Sequence, residues 1–369
     1  MLNKKIILSG ANITSGGPLT IFNDALRELS QIDGYEIIAV VGNKAIFYKS
    51  DNISFIELPN YKKFIPLKFY YEYFYFKSIS KKIIPDVWIS LNDFTPNVIA
   101  NSVFTYFHNA SIFFKIEWSD FLFSRRVIFQ KIYYAIFLKF NIHKNKKFIV
   151  QQNWIGKAIS DRYNLPLNQI SVFKPSGIID KNNEDLVVSN ANKNQNDKFV
   201  LFYPTRAYGY KNIEIICDAL DVLWHDCSIK NIELRLTIDE NENGYTRFLK
   251  KKYHQLPIVW LGAISRDEVE NNYKEVTVFV FPSRLETWGL PLSEFAKYKK
   301  PIFAIDLGYV YETLQDYPYL AFFKPNDVNR LAELLKDSIE NTDIQYFRFL
   351  EYGDSYIESV NSWTKLTGL

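Results

Sequence analysis

Two carboxylates eight positions apart, Glu286 and Glu294, frame the stretch of this 369-residue sequence that carries the most chemistry. It reads Pro282-Ser283-Arg284-Leu285-Glu286-Thr287-Trp288-Gly289-Leu290-Pro291-Leu292-Ser293-Glu294. An ionised carboxylate is a pure acceptor with two oxygens, so it can hold two neighbouring hydroxyls at once, as a ribose or a hexose presents them. Gly289 and Leu290 stand where a loop should become a helix. A helix start supplies free N–H donors and the positive end of a dipole, which suit a phosphate. Hydroxyl acceptors beside an anion site are what a sugar nucleotide requires. Taken singly, Glu294 reads as a solvated helix glutamate; the full combination is much harder to reach by chance.

The flanking residues supply the elements that would position these groups. Residues 276–281 form an apolar run rich in β-branched and aromatic side chains, as a buried strand should be, and 301–305 form another. The order is strand, loop, helix, strand, with the loop at the carboxyl edge of a parallel sheet, where ligands of such sheets bind. The same rhythm runs through the chain. Strands are expected near 4–9, 36–41, 53–57, 86–91, 102–107, 146–150 and 170–173, then near 198–203, 231–237, 257–261, 276–281, 301–305 and 319–323. Helical patterns near 18–31, 66–83, 117–141 and 153–163 separate those of the first half. This describes two doubly wound α/β domains, 1–180 and 198–343, joined by the polar, Asn-rich linker 181–197.

Further candidates lie at strand ends. Arg206 and Lys211 follow the strand that ends near Tyr203, where fixed cations can stabilise the charge that develops on a departing diphosphate. Gly16 and Gly17, in Ser15-Gly16-Gly17-Pro18, follow the first strand and precede a helix, which lets backbone approach a ligand closely. The spacing is not that of a dinucleotide fingerprint. His108 ends the strand near 102–107, and Asp93 ends another, where it could touch an acceptor.

The segment 282–294 resembles the E-x₇-E motif of retaining GT-B glycosyltransferases of glycosyltransferase family 4, in the branch of bacterial O-antigen and capsule pathways. It keeps Pro282, Ser283, Glu286, Gly289, Leu290 and Glu294. Thr287 replaces the usual Gly, Trp288 a common Phe, and Lys300 the usual Gly before Pro301. The resemblance implies a GT-B fold of two facing Rossmann-like domains, with a final helical stretch over 344–363 (domain segment 344–369) crossing back to the first. It implies that the carboxyl-terminal domain holds a nucleoside-diphosphate sugar and the amino-terminal one the acceptor. Glu286 is then expected to orient the donor sugar, Glu294 to hold the ribose, and Arg206 with Lys211 to hold the diphosphate. The Gly16-Gly17 loop would approach the same diphosphate, His108 would support the reacting centre, and Thr287 and Trp288 would sit beside the sugar.

Composition narrows the partners. The net charge of +3 hides +9 over residues 1–180 and −6 over 181–369, counted from Lys and Arg (22 and 22) against Asp and Glu (13 and 28). Nucleic acid is not expected, since no arginine stripe, RNA-binding motif or metal finger accompanies the basic half. Aromatic and basic residues alternate over 62–82 and 113–147, a pattern that suits an anionic membrane interface. No apolar run is long enough to span a bilayer, and 1–8 read as a strand rather than a signal peptide. Cys217 and Cys227 suggest neither disulfide nor zinc, consistent with a reduced, cytoplasmic setting. No Asp-x-Asp occurs, so no cofactor and no metal are expected. The activity expected is transfer of a hexose or deoxyhexose to a saccharide acceptor carried on polyprenyl diphosphate, at the inner face of the cell membrane. Two other readings stand beside it: a sugar-nucleotide epimerase on the same fold, and a non-catalytic subunit of a polysaccharide-assembly complex.

Overall fold

Ile6 and Leu8 of the first strand belong to one buried apolar cluster and Ile7 to another, as the two-residue period of a strand covered on both faces requires. The computed structural model describes residues 4–118, 120–175, 198–239, 241–340, 344, 346–347 and 357–369. Within these, the first half carries β1 (Lys4–Gly10), β2 (Tyr35–Val41), β3 (Ile53–Glu57), β4 (Val87–Ser90), β5 (Ser102–Tyr106), β6 (Lys147–Val150) and β7 (Ile170–Phe173). The second half carries β8 (Phe199–Tyr203), β9 (Ile232–Leu236), β10 (Ile258–Trp260), β11 (Val278–Phe281), β12 (Ile302–Ile305), β13 (Leu320–Phe323) and β14 (Glu358–Val360). They form two parallel sheets, ordered β14-β7-β6-β5-β4-β1-β2-β3 and β10-β9-β8-β11-β12-β13. Each sheet is parallel and Rossmann-like.

The chain divides into two compact units. The first comprises Met1–Ile112, Lys131–Gly177 and Gly353–Leu369; the second comprises Phe113–Gln130 and Ile178–Tyr352. The expected linker 181–197 lies outside the described residues, as do 345 and 348–356 of the helical stretch expected over 344–363. The described end of the chain is the short strand β14 beside β7 and a helix, Trp363–Thr367. Trp363 is buried in the first unit against Tyr106 and Phe173. β14 escapes a sequence reading because two exposed residues and one partly buried one carry no apolar run.

The helical pattern over 66–83 resolves into Ile65–Tyr70 and Phe76–Ile83, joined by a π-helical turn, Tyr71–Tyr75. That turn carries Glu72, which is buried beside β4. Its Oε1 accepts from the Tyr61 hydroxyl and from Asn92 Nδ2 at 3.0 Å, while Oε2 has no hydrogen-bond partner. Burial pushes the Glu72 carboxyl up to about 7, against the opposing pull of Tyr61, Lys68 and Asn92. A carboxyl whose pKa is higher folded than unfolded binds more protons in the folded state between the two values. Stability must therefore fall as pH rises from about 4.5 to about 7. Replacing Glu72 by Gln should remove that slope: between pH 5 and pH 8 the variant should gain on the parent protein by up to roughly 3 kcal/mol. Urea unfolding at the two pH values checks this, and parallel pH dependences for the two proteins would contradict it.

Candidate active site

In the second unit the loop after β8 is folded tightly before any side chain is considered. Gly209–Lys211 make a 3-10 turn, and Asn212 follows in the left-handed region at φ 53°. Its carbonyls are pinned from several directions: Tyr203 Oη donates to Lys211 O (3.3 Å), Arg284 N to Tyr210 O (2.8 Å), and Asn243 Nδ2 to Ala207 O (2.8 Å). The loop after β11 is pinned likewise, with Tyr309 Oη donating to Ser283 O at 2.8 Å. Burial first, then the charge of Glu286, push the Tyr203 and Tyr309 hydroxyls well above the usual phenol range, so both stay protonated donors.

These two loops bring Lys211 and Glu286 together, 75 positions apart in sequence. Lys211 Nζ lies 2.5 Å from Glu286 Oε1, each side chain only 18% exposed, and 5.5 Å from the Tyr210 ring centroid. Arg206, on the same loop, is exposed and makes no ion pair among the described residues, which leaves its guanidinium available to an anion. Gly289 caps the helix Leu290–Ala296 at φ 81°, and a Cβ there would lie 3.2 Å from Leu292 Cδ1, so only glycine fits the turn without strain. Thr287 and Leu290 are partly exposed on this turn. Trp288 is placed differently from the expectation. Its indole is buried and donates from Nε1 to Ser293 Oγ at 2.7 Å, so it packs the base of the turn instead of facing a sugar.

Glu294 sits on that helix in a network of its own. Oε1 is 2.7 Å from Arg266 Nη1, and Oε2 accepts from Tyr273 Oη at 3.2 Å. Neither partner was legible beforehand, since Arg266 reads as an ordinary first-turn residue of a helix and Tyr273 as core.

Arg284 is the residue whose role the sequence concealed. It lies between the Pro-Ser and the first glutamate of the motif, and its side chain is 7% exposed. Nη1 and Nη2 reach Asp120 Oδ1 and Oδ2 at 3.2 and 2.7 Å, Nη2 also donates to Lys115 O at 3.0 Å, and the guanidinium covers the Phe114 ring. This fork explains why Phe113–Gln130 groups with the second unit although it lies within the span 1–180. The partners are 164 positions apart, and no local pattern could have paired them.

The first unit holds the remaining candidates. Gly16, at φ 72°, precedes the helix Gly17–Leu29, and a Cβ on it would meet nothing within 4 Å, so the loop borders open space. His108 donates its backbone N–H to Asp93 Oδ1 at 2.8 Å, with Nδ1 3.3 Å from the same oxygen. Tyr134 Oη donates to Asp93 Oδ2 at 2.7 Å. Asp93 is buried, so it positions His108 and does not itself reach a ligand, contrary to the expectation of acceptor contact. Among the described residues no cluster of three or more His, Cys, Asp or Glu could hold a metal ion, and Cys217 and Cys227 are free thiols.

Residues 187–355 match the family described as "Glycosyl transferases group 1". No curated protein matches the sequence closely enough to count as a relative. Solved structures share the fold over almost the whole chain. The "lipopolysaccharide outer core galactosyltransferase WaaB apo form" covers 93% of this chain and 92% of its own, at 15% identity and a TM-score of 0.61. Sucrose-phosphate synthase from Thermosynechococcus elongatus covers 92% and 90%, at 16% and 0.62. Alr3699/HepE from Anabaena, in complex with UDP, covers 92% and 90%, at 14% and 0.57. At these identities the structures speak for the GT-B fold. The match over 187–355 is to glycosyl transferases, and the enzyme activity it supports is glycosyl transfer.

The Arg284 fork yields a prediction about stability. Arg284→Ala leaves Asp120, 2% exposed, as a buried carboxylate without its cation, and should cost about 3–5 kcal/mol. Adding Asp120→Asn should recover a large part of the loss. Chemical denaturation of both variants tests this, and losses that simply add in the double variant would contradict a direct pairing.

Proposed function

We propose that this enzyme moves a hexose or deoxyhexose from a nucleoside-diphosphate sugar to a saccharide acceptor with retention of anomeric configuration. The acceptor is proposed to be carried on polyprenyl diphosphate, in O-antigen or capsule assembly at the cytoplasmic face of the membrane. The observation that carries this reading is the contact between Lys211 and Glu286, a cation and a hydroxyl-binding acid held side by side in largely dry surroundings. The UDP bound to HepE and the likeness to WaaB, a lipopolysaccharide outer core galactosyltransferase, support a nucleotide donor and a glycan product.

In the proposed reaction Glu286 grips hydroxyls of the donor sugar while Lys211 and Arg206 face the diphosphate. The bond from C1 to the phosphate oxygen breaks, and the acceptor oxygen bonds C1 on the same face. The acceptor proton passes to the departing phosphate. Negative charge grows on that phosphate as the bond lengthens, so fixed cations favour the transition state over the ground state. His108, oriented by Asp93, keeps the supporting role in the reaction that we propose for it. We propose that no metal takes part, the two cations supplying the positive charge. Lys211→Ala and Arg206→Ala should each lower turnover about 10²- to 10³-fold with the fold intact, and dialysis against EDTA should leave the rate unchanged. Turnover measured with a panel of UDP-, GDP- and dTDP-sugars checks both; wild-type rates in the two variants would sink the diphosphate assignment.

An anionic membrane surface is the proposed second partner. In the first unit Tyr70, Phe74, Ile132, Ile136 and Phe140 are exposed. Ring contacts of Phe69 and Tyr73 with Phe137 and Phe140 join the two helical stretches that carry them. The apolar residues here face outward, where a soluble helix would turn them in, and Lys139 and Lys77 are exposed beside them. No helix among the described residues is long and apolar enough to cross a membrane. The protein should sediment with phosphatidylglycerol vesicles and much less with phosphatidylcholine ones, and Ile136→Ser with Phe140→Ser should weaken the binding several-fold. Equal recovery in the supernatant with both lipids would count against this surface.

A further inference from the structure

The ion pair on Glu294 has a consequence for substrate recognition. A carboxylate offers about four acceptor directions, two on each oxygen. Arg266 Nη1 takes one on Oε1 and Tyr273 Oη takes one on Oε2, leaving one open on each. Two acceptor directions on adjacent oxygens match two hydroxyls on adjacent carbons. We propose that Arg266, together with Tyr273, is a positioning residue that holds Glu294 in this divided state, so that its remaining acceptor directions receive the vicinal diol of the donor's ribose. The inference rests on the nucleotide-sugar reading above and names the residues that would make its second glutamate selective.

Both partners are themselves fixed. Arg266 opens the helix Arg266–Glu275, whose start is locked by a reciprocal cap: Ser265 Oγ accepts from Glu268 N at 3.2 Å, and Ser265 N donates to Glu268 Oε2 at 2.7 Å. The other end of the guanidinium, Nη2, reaches Glu270 Oε1 at 2.6 Å, and the Tyr298 hydroxyl donates to the second oxygen of Glu270. Tyr273 is fully buried and packed edge-on against Phe279 and Phe295, so its hydroxyl has one place to go. The Arg266 side chain, by contrast, is 55% exposed and Glu294 24%. Exposed ion pairs contribute little to stability. This one spans two carboxylates at the open end of the motif helix, where loss of the cation would leave Glu270 and Glu294 to repel each other and free the Glu294 rotamer.

The test measures equilibrium binding of UDP, GDP, ADP and dTDP, followed by comparison of the tightest binder with its 2′,3′-dideoxy analogue. The unmodified protein should prefer the diol form by at least about tenfold, the size of one charge-assisted hydrogen bond. In Arg266→Ala that ratio should fall to near one, with the melting temperature little changed, and Arg266→Lys should restore part of it. Tyr273→Phe, which keeps the ring packing, should also lower the ratio. An unchanged ratio in Arg266→Ala overturns the inference, as does tighter binding of dTDP than of UDP, because deoxyribose has no diol. Absence of binding by all four nucleotides in the unmodified protein would instead overturn the donor reading on which the inference stands.

Discussion

A lysine and a glutamate from different loops, 2.5 Å apart and mostly withdrawn from water, set the conditions for everything else in the second unit. Such an attraction is stronger than the same pair would have in bulk water, but only while both loops hold still. That requirement accounts for the surrounding hydroxyls. Tyr203 and Tyr309 each spend a buried O–H on a backbone carbonyl of one of the two loops, and the Arg284 amide ties one loop to the other. The pair also explains how a basic side chain can wait for an anion without wandering. In the reaction we propose, Glu286 is the counterion of Lys211 until a diphosphate takes over that part, and it then accepts from sugar hydroxyls.

The two glutamates of the motif are thereby given different work by their neighbours. Glu286 is paired to Lys211. Glu294 is paired to an arginine already shared with Glu270 and to a tyrosine locked in the core, so it holds its orientation. Sequence spacing places both on one short segment, but only the third dimension shows that one is paired to a lysine and the other to an arginine and a tyrosine. Arg284, between the Pro-Ser and Glu286, adds a third behaviour, since its fork on Asp120 is closed to solvent and serves the architecture.

Much of this was legible in the chain. The βαβ rhythm located nearly every strand, because parallel strands covered on both faces must be continuous apolar runs, as 276–281 and 301–305 are. Glu286, Glu294, Gly289, Arg206 and Lys211 were marked by residue type at strand ends. What stayed hidden depended on contacts distant in sequence. Asp120 gives no sign that Arg284 will find it, and Arg266 is indistinguishable from any first-turn cation. Trp288 invited the opposite error: beside a sugar motif it suggested a ligand contact, yet an indole with a hydroxyl at Ser293 to receive its N–H gains more from burial. Asp93 was misread for the same reason, a strand-end carboxylate whose oxygens are already used by His108 and Tyr134.

The most direct test is a crystal structure with whichever nucleotide sugar stabilises the protein most against heat. The account predicts diphosphate oxygens within hydrogen-bond distance of Lys211 Nζ and the Arg206 guanidinium, with hexose hydroxyls on Glu286. A nucleotide sugar bound elsewhere, with Lys211 still closed on Glu286, would contradict it.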